Sequence, residues 1–226
     1  SAANELDISA ENGLYSWSNL ITLSAWINPF GFTGSTQRII TSSNQDVAGQ
    51  QYALTINPEG KIYFLGEAGA FENVNTNTGN TSVIPNEWNH VAMTYDGNAV
   101  RLYLNGILDF ENYIDDDFDY PYDKRIYIGQ RGDGAEEFYG LIDDISVWNI
   151  ALSQEEIQEY MNCFPETPIT SLVGHWNFED FDNSIVTDMA GHGSDATIYG
   201  AIHYTETPEQ SCASCSDTDE ITITFS

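Results

Sequence analysis

Two acidic residues stand side by side in the run "GLIDDISVW", Asp143 and Asp144. The run alternates, Leu141, Asp143, Ile145 and Val147 against Ile142, Asp144, Ser146 and Trp148, which is the period of a strand. Neighbours on a strand face opposite ways, so one carboxylate is expected to point into protein and the other toward solvent or a loop. A carboxylate turned inward must be paired, hydrogen-bonded or bound to a metal, because burying it bare is prohibitive. Basic partners are scarce: the 226-residue chain has 6 Lys and Arg against 35 Asp and Glu, for a net charge of -29. Calcium answers the need, since it takes carboxylate, carbonyl and water oxygens. The alternative is that both acids cap loop amides without a metal.

Other chemistry is sparse. A retaining glycosidase needs two carboxylates about 5 Å apart, one kept protonated, but in a chain with 35 acids a chance pair proves nothing. Neither G-x-S-x-G nor H-E-x-x-H occurs, so the motifs of serine hydrolases and metalloproteases are missing. The histidines, His90, His175, His192 and His203, are scattered and read as packing or surface residues. No catalytic residue is expected. "RGD" at Arg131 to Asp133 is short enough to arise by chance. Cys163, Cys212 and Cys215 fit no zinc spacing, and no βαβ pattern surrounds the C-x-x-C pair. A bridge from Cys163 to Cys212 or to Cys215 would pin the C-terminal segment and mark an exported protein.

The vocabulary that remains suits binding. Sugars are held by aromatic faces and by planar amides and carboxylates that bridge hydroxyls. Three loops offer them: "ENGLYSW" with Tyr15 and Trp17, "FENVNTNTGN" with Phe71, Asn73 and Asn75, and "NYIDDDFDYPY" with Tyr113, Asp115, Asp117, Tyr120 and Tyr122. Core packing or loop anchoring is the competing role for each aromatic. The negative charge disfavours nucleic acid and acidic membranes, and neutral glycans are easier ligands than sulfated or uronate ones.

These residues must be positioned by strands. Short alternating runs, "LITLSAWI", "RIITSS", "QYALTI", "KIYFLG", "HVAMTYD", "VRLYLN", "ILDFENY" and "RIYIGQ", follow one another between Gly, Asn, Asp and Pro, the pattern of a sandwich or barrel. Asp96-Gly97 and Asn105-Gly106 sit where tight hairpins need positive φ, so residues 89 to 113 are predicted to form a three-stranded meander. Its core face should carry Val91, Met93 and Tyr95, then Val100, Leu102 and Leu104. Ser153 followed by Glu156 is a capping box opening a short helix that lays Ile157, Tyr160 and Met161 on the sheet. No apolar run approaches the roughly 18 residues of a membrane helix. "SAANELDI" has neither basic segment nor apolar stretch, so a mature form or an excised domain of a larger chain is expected.

The blocks "LITLSAWINP", "NEWNHVAMTYDGNAVRLYLNGIL", "IYIGQRGDGAEEFYGLIDDISVWNIALSQEEIQEYMN" and "LVGHWNFEDFDNSIVTDMAGHGSDATIYGA" resemble, in that order, those of the laminin-G-like, concanavalin A-like jelly roll of exported bacterial proteins. The resemblance implies an all-β, two-layer antiparallel sandwich over residues 1–205, with 164–205 returning to it and 206–226 as a tail or edge strand. A second, truncated domain from 171 onward is the other possibility. The usual F-D-G-x-[ND]-D turn before the first strand is missing, and the W-x-F block follows the jelly roll here instead of preceding it. Related glycosidases carry E-x-D-x-x-E on one strand, which this chain lacks. By analogy, a structural calcium would be held by Asp143 and Asp144 with help from Asn177 and Glu179, and a disulfide near "MNC" and "QSC" would join Cys163 to Cys212. The function implied is a non-catalytic module of a secreted or cell-surface protein that binds a glycan or glycoconjugate, with no nucleic acid and no membrane insertion; a protein-binding or spacer module in an adhesin is the alternative.

Overall fold

The computed structural model describes residues 5–8, 20–43, 50–66, 77–114, 125–164, 169–179, 181–182, 185–199 and 205–210. Two antiparallel sheets face one another. The large sheet runs, edge to edge, through β13 (Phe181–Asp182), β14 (Ile185–Val186), β15 (Ala196–Tyr199), β1 (Glu5–Ile8), β10 (Arg125–Ile128), β3 (Gln37–Ser43), β4 (Gln50–Ile56), β5 (Lys61–Gly66) and β6 (Thr78–Ser82). The small sheet runs through β12 (Leu172–Trp176), β11 (Gly140–Trp148), β2 (Ile21–Pro29), β7 (Asn89–Tyr95), β8 (Ala99–Leu104) and β9 (Ile107–Tyr113). The result is an all-β jelly-roll sandwich with one short helix, α1 (Gln154–Tyr160). The last of the described strands are shared out: β12 pairs with β11 in one layer and β15 with β1 in the other.

Alternation builds the core. Ile21, Leu23, Ala25 and Ile27 of β2 meet Val91, Met93 and Tyr95 of β7 and Val100 and Leu102 of β8 on the inner face, all fully buried, while Leu104 is partly buried. Ile40, Leu54, Ile56, Ile62, Phe64, Ile126 and Ile128 close the core from the large sheet. The meander turns as its dipeptides require, with Asn105 at φ 51° and Gly106 at φ 73°, and with Gly97 at φ 83°. One flank of the sandwich is tied by Asp109 of β9, whose carboxylate accepts the N–H groups of Asn80 (2.7 Å) and Thr81 (3.1 Å) on β6.

The outer face of the small sheet is buried as well, and this positions the candidate site. Thr22, Ser24, Trp26 and Asn28 read as the solvent face of β2, yet each is at most 9% exposed. Their polar atoms anchor the covering segment. Thr22 Oγ1 donates to Ile150 O (2.7 Å) and accepts from Leu152 N–H (2.9 Å), and Trp26 Nε1 donates to Met161 O (3.0 Å). The capping box forms as its residues require, with Glu156 N–H donating to Ser153 Oγ (3.2 Å) and Ser153 N–H to Glu156 Oε2 (2.7 Å). Ile157 joins Ala92, Tyr103, Trp148, Leu152 and Leu172 in a second apolar cluster under α1, and Tyr160 stacks on Trp148 at 5.1 Å. Among the described residues no helix is long and apolar enough to cross a membrane.

Candidate functional site

The pairing of β11 with β2 slips between Asp143 and Ser146: Asp143 faces Trp26, Ser146 faces Ser24, and two residues lie opposite Ala25 alone. Asp144 is the extra residue, at φ 44°, a left-handed backbone that Asp tolerates better than most side chains. The bulge reverses the alternation. Before it, Leu141 and Asp143 share the outer face with Asn28 and Trp26; after it, Ile145 and Val147 are in the core and Ser146 and Trp148 lie outside. Asp143 is the buried member of the pair, 7% exposed, and the Asp144 side chain is the more open one at 20%. Both act at one place, and Asp144 N–H donates to Asp143 Oδ1 (2.8 Å).

Around them gather residues distant in the chain. His90 of β7 is the register partner of Trp26, and its ring meets the indole edge-on at 5.3 Å. His175 of β12 stacks flat on Phe164 at 3.5 Å, with Nε2 3.4 Å from Asp144 Oδ1. The Gln210 amide donates to Asp144 Oδ2. Asp143, His90 and His175 are all under a tenth exposed.

The electrostatics follow from burial without a counter-charge. The Asp143 carboxyl is pushed up to about 8, first by desolvation, then by the charge of Asp144 and more weakly by Glu179, against the Asp144 N–H that favours its ionised form. Burial draws the His90 imidazole down to about 4, and the Asp144 charge only partly offsets this. Among the described residues the ion pairs of Arg38, Arg101 and Arg131 go to other acids: Glu136, Asp96 with Glu111, and Asp133 with Glu136. The "RGD" run is thereby closed on itself, Arg131 clasping Asp133 through two 2.8 Å bonds.

A divalent ion suits these acids in chemistry, since the charges of Asp144 and Glu179 both act against ionisation of Asp143. Asn177 Oδ1 accepts from Glu179 N–H (3.3 Å). In geometry, no three His, Cys, Asp or Glu side chains among the described residues are grouped to hold a metal.

The other candidate residues are dispersed. Tyr113, at the end of edge strand β9, is 67% exposed. Tyr15, Trp17, Phe71, Asn73, Asp115, Asp117, Tyr120, Tyr122 and Cys212 lie outside the described residues. Cys163 takes part in a disulfide bond. His90, His175, Trp26, Phe164 and Gln210 escape sequence reasoning because only the sheet register brings them to the acids. Exposed aromatics just beyond the C-terminal end of β2, Phe30 and Tyr139, escape it for the same reason.

The family model for the concanavalin A-like lectin/glucanases superfamily matches residues 3–158. Pappalysin-1 of Mus musculus is 27% identical over 129 residues, 55% of this chain but 8% of that protein, so the chain spans under a tenth of this relative. A candidate carbohydrate-binding protein from Bacteroides ovatus superposes with a TM-score of 0.69 at 20% identity, over 89% of this chain and 58% of that one. The CBM40 of a Ruminococcus gnavus sialidase, bound to α2,3-sialyllactose, superposes with a TM-score of 0.58 at 21% identity, over 70% of this chain and 91% of that one. At such identities the solved structures share the fold.

Proposed function

From a chain that belongs to the concanavalin A-like lectin/glucanase superfamily, we propose a non-catalytic carbohydrate-binding or adhesion module of an exported or cell-surface protein. The observation that carries this reading is the sandwich shared over 89% of the chain with the Bacteroides ovatus protein. Neutral glycans are the proposed ligands, because a net charge of -29 repels sulfated and uronate chains. Export is supported by the disulfide at Cys163, bridged in this proposal to Cys212, since such bonds persist in oxidising compartments. Calcium belongs to the same proposal. Asp143, Asp144, Asn177 and Glu179 would hold it, and its charge would let Asp143 ionise in place and fasten β11 to the segment that follows β12. A carboxyl kept protonated near neutrality is also what an acid catalyst needs, but Asp143 is 7% exposed and lies beneath neighbouring side chains.

Binding to arrayed neutral and acidic glycans, in calcium and in chelator, tests the reading. Binding confined to neutral glycans and weakened by chelator is expected. Silence across the array would favour a protein-binding or spacer module, a reading with its own support in Ile107 and Leu108, 58% and 43% exposed on edge strand β9. Hydrolysis of any polysaccharide by the domain alone would overturn the non-catalytic assignment.

A further inference from the structure

At the end of the small sheet where β2 gives out and β11 begins, two aromatic rings stand in solvent. Phe30 is 40% and Tyr139 55% exposed, with centroids 5.5 Å apart and planes at 88°. They form a corner whose backbone is fixed from several sides. Phe30 N–H donates to Tyr139 O (2.9 Å), and Tyr139 N–H donates to Oε1 of the fully buried Gln37 (2.8 Å), whose Nε2 holds Gly31 O (2.9 Å). Next in line, Gly140 has no room for a methyl group against Asn28 O and the Phe138 ring. A third segment joins through Asn86 N–H to Pro29 O (2.8 Å), and both backbone groups of Ile84, 51% exposed, are bonded to the Asn89 amide. Asn86, at φ 61°, and Glu87 and Glu137 are exposed on these same segments.

A backbone fixed this way, with the two rings packed edge to face on one another, lowers the ordering cost of contact with a ligand. Two orthogonal rings match the C–H face and edge of a pyranose, with an exposed amide and a phenol on the same segments to bond its hydroxyls. The carboxylates of Glu87 and Glu137, in a chain of net charge -29, exclude an anionic sugar. We propose that the Phe30–Tyr139 corner is a stacking platform for a neutral saccharide unit. The assignment rests on the carbohydrate-binding reading and gives it a site apart from the three aromatic loops and from Asp143.

The test titrates the whole chain with a panel of neutral oligosaccharides by calorimetry. Phe30→Ala and Tyr139→Ala are each expected to weaken binding about tenfold, the upper scale of one lost aromatic contact. Tyr139→Trp should restore it, and Ile185→Ala, at a 50% exposed position on β14, should leave it within about twofold. Unchanged far-ultraviolet dichroism and melting confirm that the alanine variants fold. If wild type binds and both alanine variants bind equally well, the platform is refuted while the carbohydrate reading stands. If wild type binds no neutral sugar, both fall. A wild-type dimer in sedimentation that Phe30→Ala dissociates would make the corner a self-interface and overturn the platform.

Discussion

Asparagine at Asp143 removes a charge and almost nothing else, so it isolates what burial does to this carboxyl. Lifting a carboxyl from 3.8 to about 8 corresponds to about 6 kcal/mol at most, at about 1.4 kcal/mol per pH unit. The raised value makes the protonated form the favoured one in the fold. Its stabilisation is complete below the unfolded value of 3.8 and is lost as pH rises through 8. His90 works in the opposite direction: its folded value of about 4 lies below the ordinary 6.5, so stability is lost as pH falls from 6.5 toward 4. The two slopes cancel between about pH 4 and 6.5, leaving a net decline of about 2 kcal/mol from 6.5 to 8. In chelator, urea denaturation of the wild type should show this decline, and Asp143→Asn should abolish it and expose the acid-side loss from His90. In excess calcium the wild-type decline should vanish, because a bound cation favours the ionised form, while the variant should not respond. If Asp143→Asn tracks the wild type from pH 6.5 to 8 in chelator, the argument from burial is wrong. If calcium changes neither protein, the metal proposal is wrong and the burial argument survives.

Asp188, 3% exposed, accepts the N–H groups of His175, Ala190, His192 and Ser194; Asp188→Ala should cost about 3 kcal/mol or more in urea denaturation, because four donors lose one acceptor, and Asp188→Asn should recover part of it. Ser153→Ala removes the cap of α1 and should cost about 1 kcal/mol by the same assay. Gly79→Ala drives a methyl group into Asp109 Oδ2 and toward Ile62 and should cost about 1–3 kcal/mol. Most of that penalty should disappear in an Asp109→Ala background, and a double-mutant cycle reads the coupling directly.

Strands such as "HVAMTYD" were legible because they alternate, and Val91, Met93 and Tyr95 all reach the core, whereas β6 lies partly in the run "FENVNTNTGN" that reads as a loop. The turns and the capping box were legible because both are local chemistry. What alternation could not reveal is a bulge: "LIDDISVW" reads as an unbroken strand, and only pairing with β2 exposes Asp144 as the extra residue. Nor does β2 announce that its outer face is covered, since Thr22, Ser24 and Asn28 are what a solvent face would carry. The two acids could be singled out from their place in an alternating run and the scarcity of basic residues. Their histidine neighbours could not, because 90 and 175 meet 144 only through the order β12-β11-β2-β7.

Strand β1 lies between β10 and β15, so Leu6 is bonded across to Ile198 on one side and to Ile128 on the other. The run β13-β14-β15 joins the rest of the large sheet only through β1, from far away in the chain. Folding should accordingly be slow, with its late step set by long-range closure, and until then the edges of β1 and β15 are open to strands of another molecule. Expression yield, more than final stability, is where a weakened β1 would first be felt.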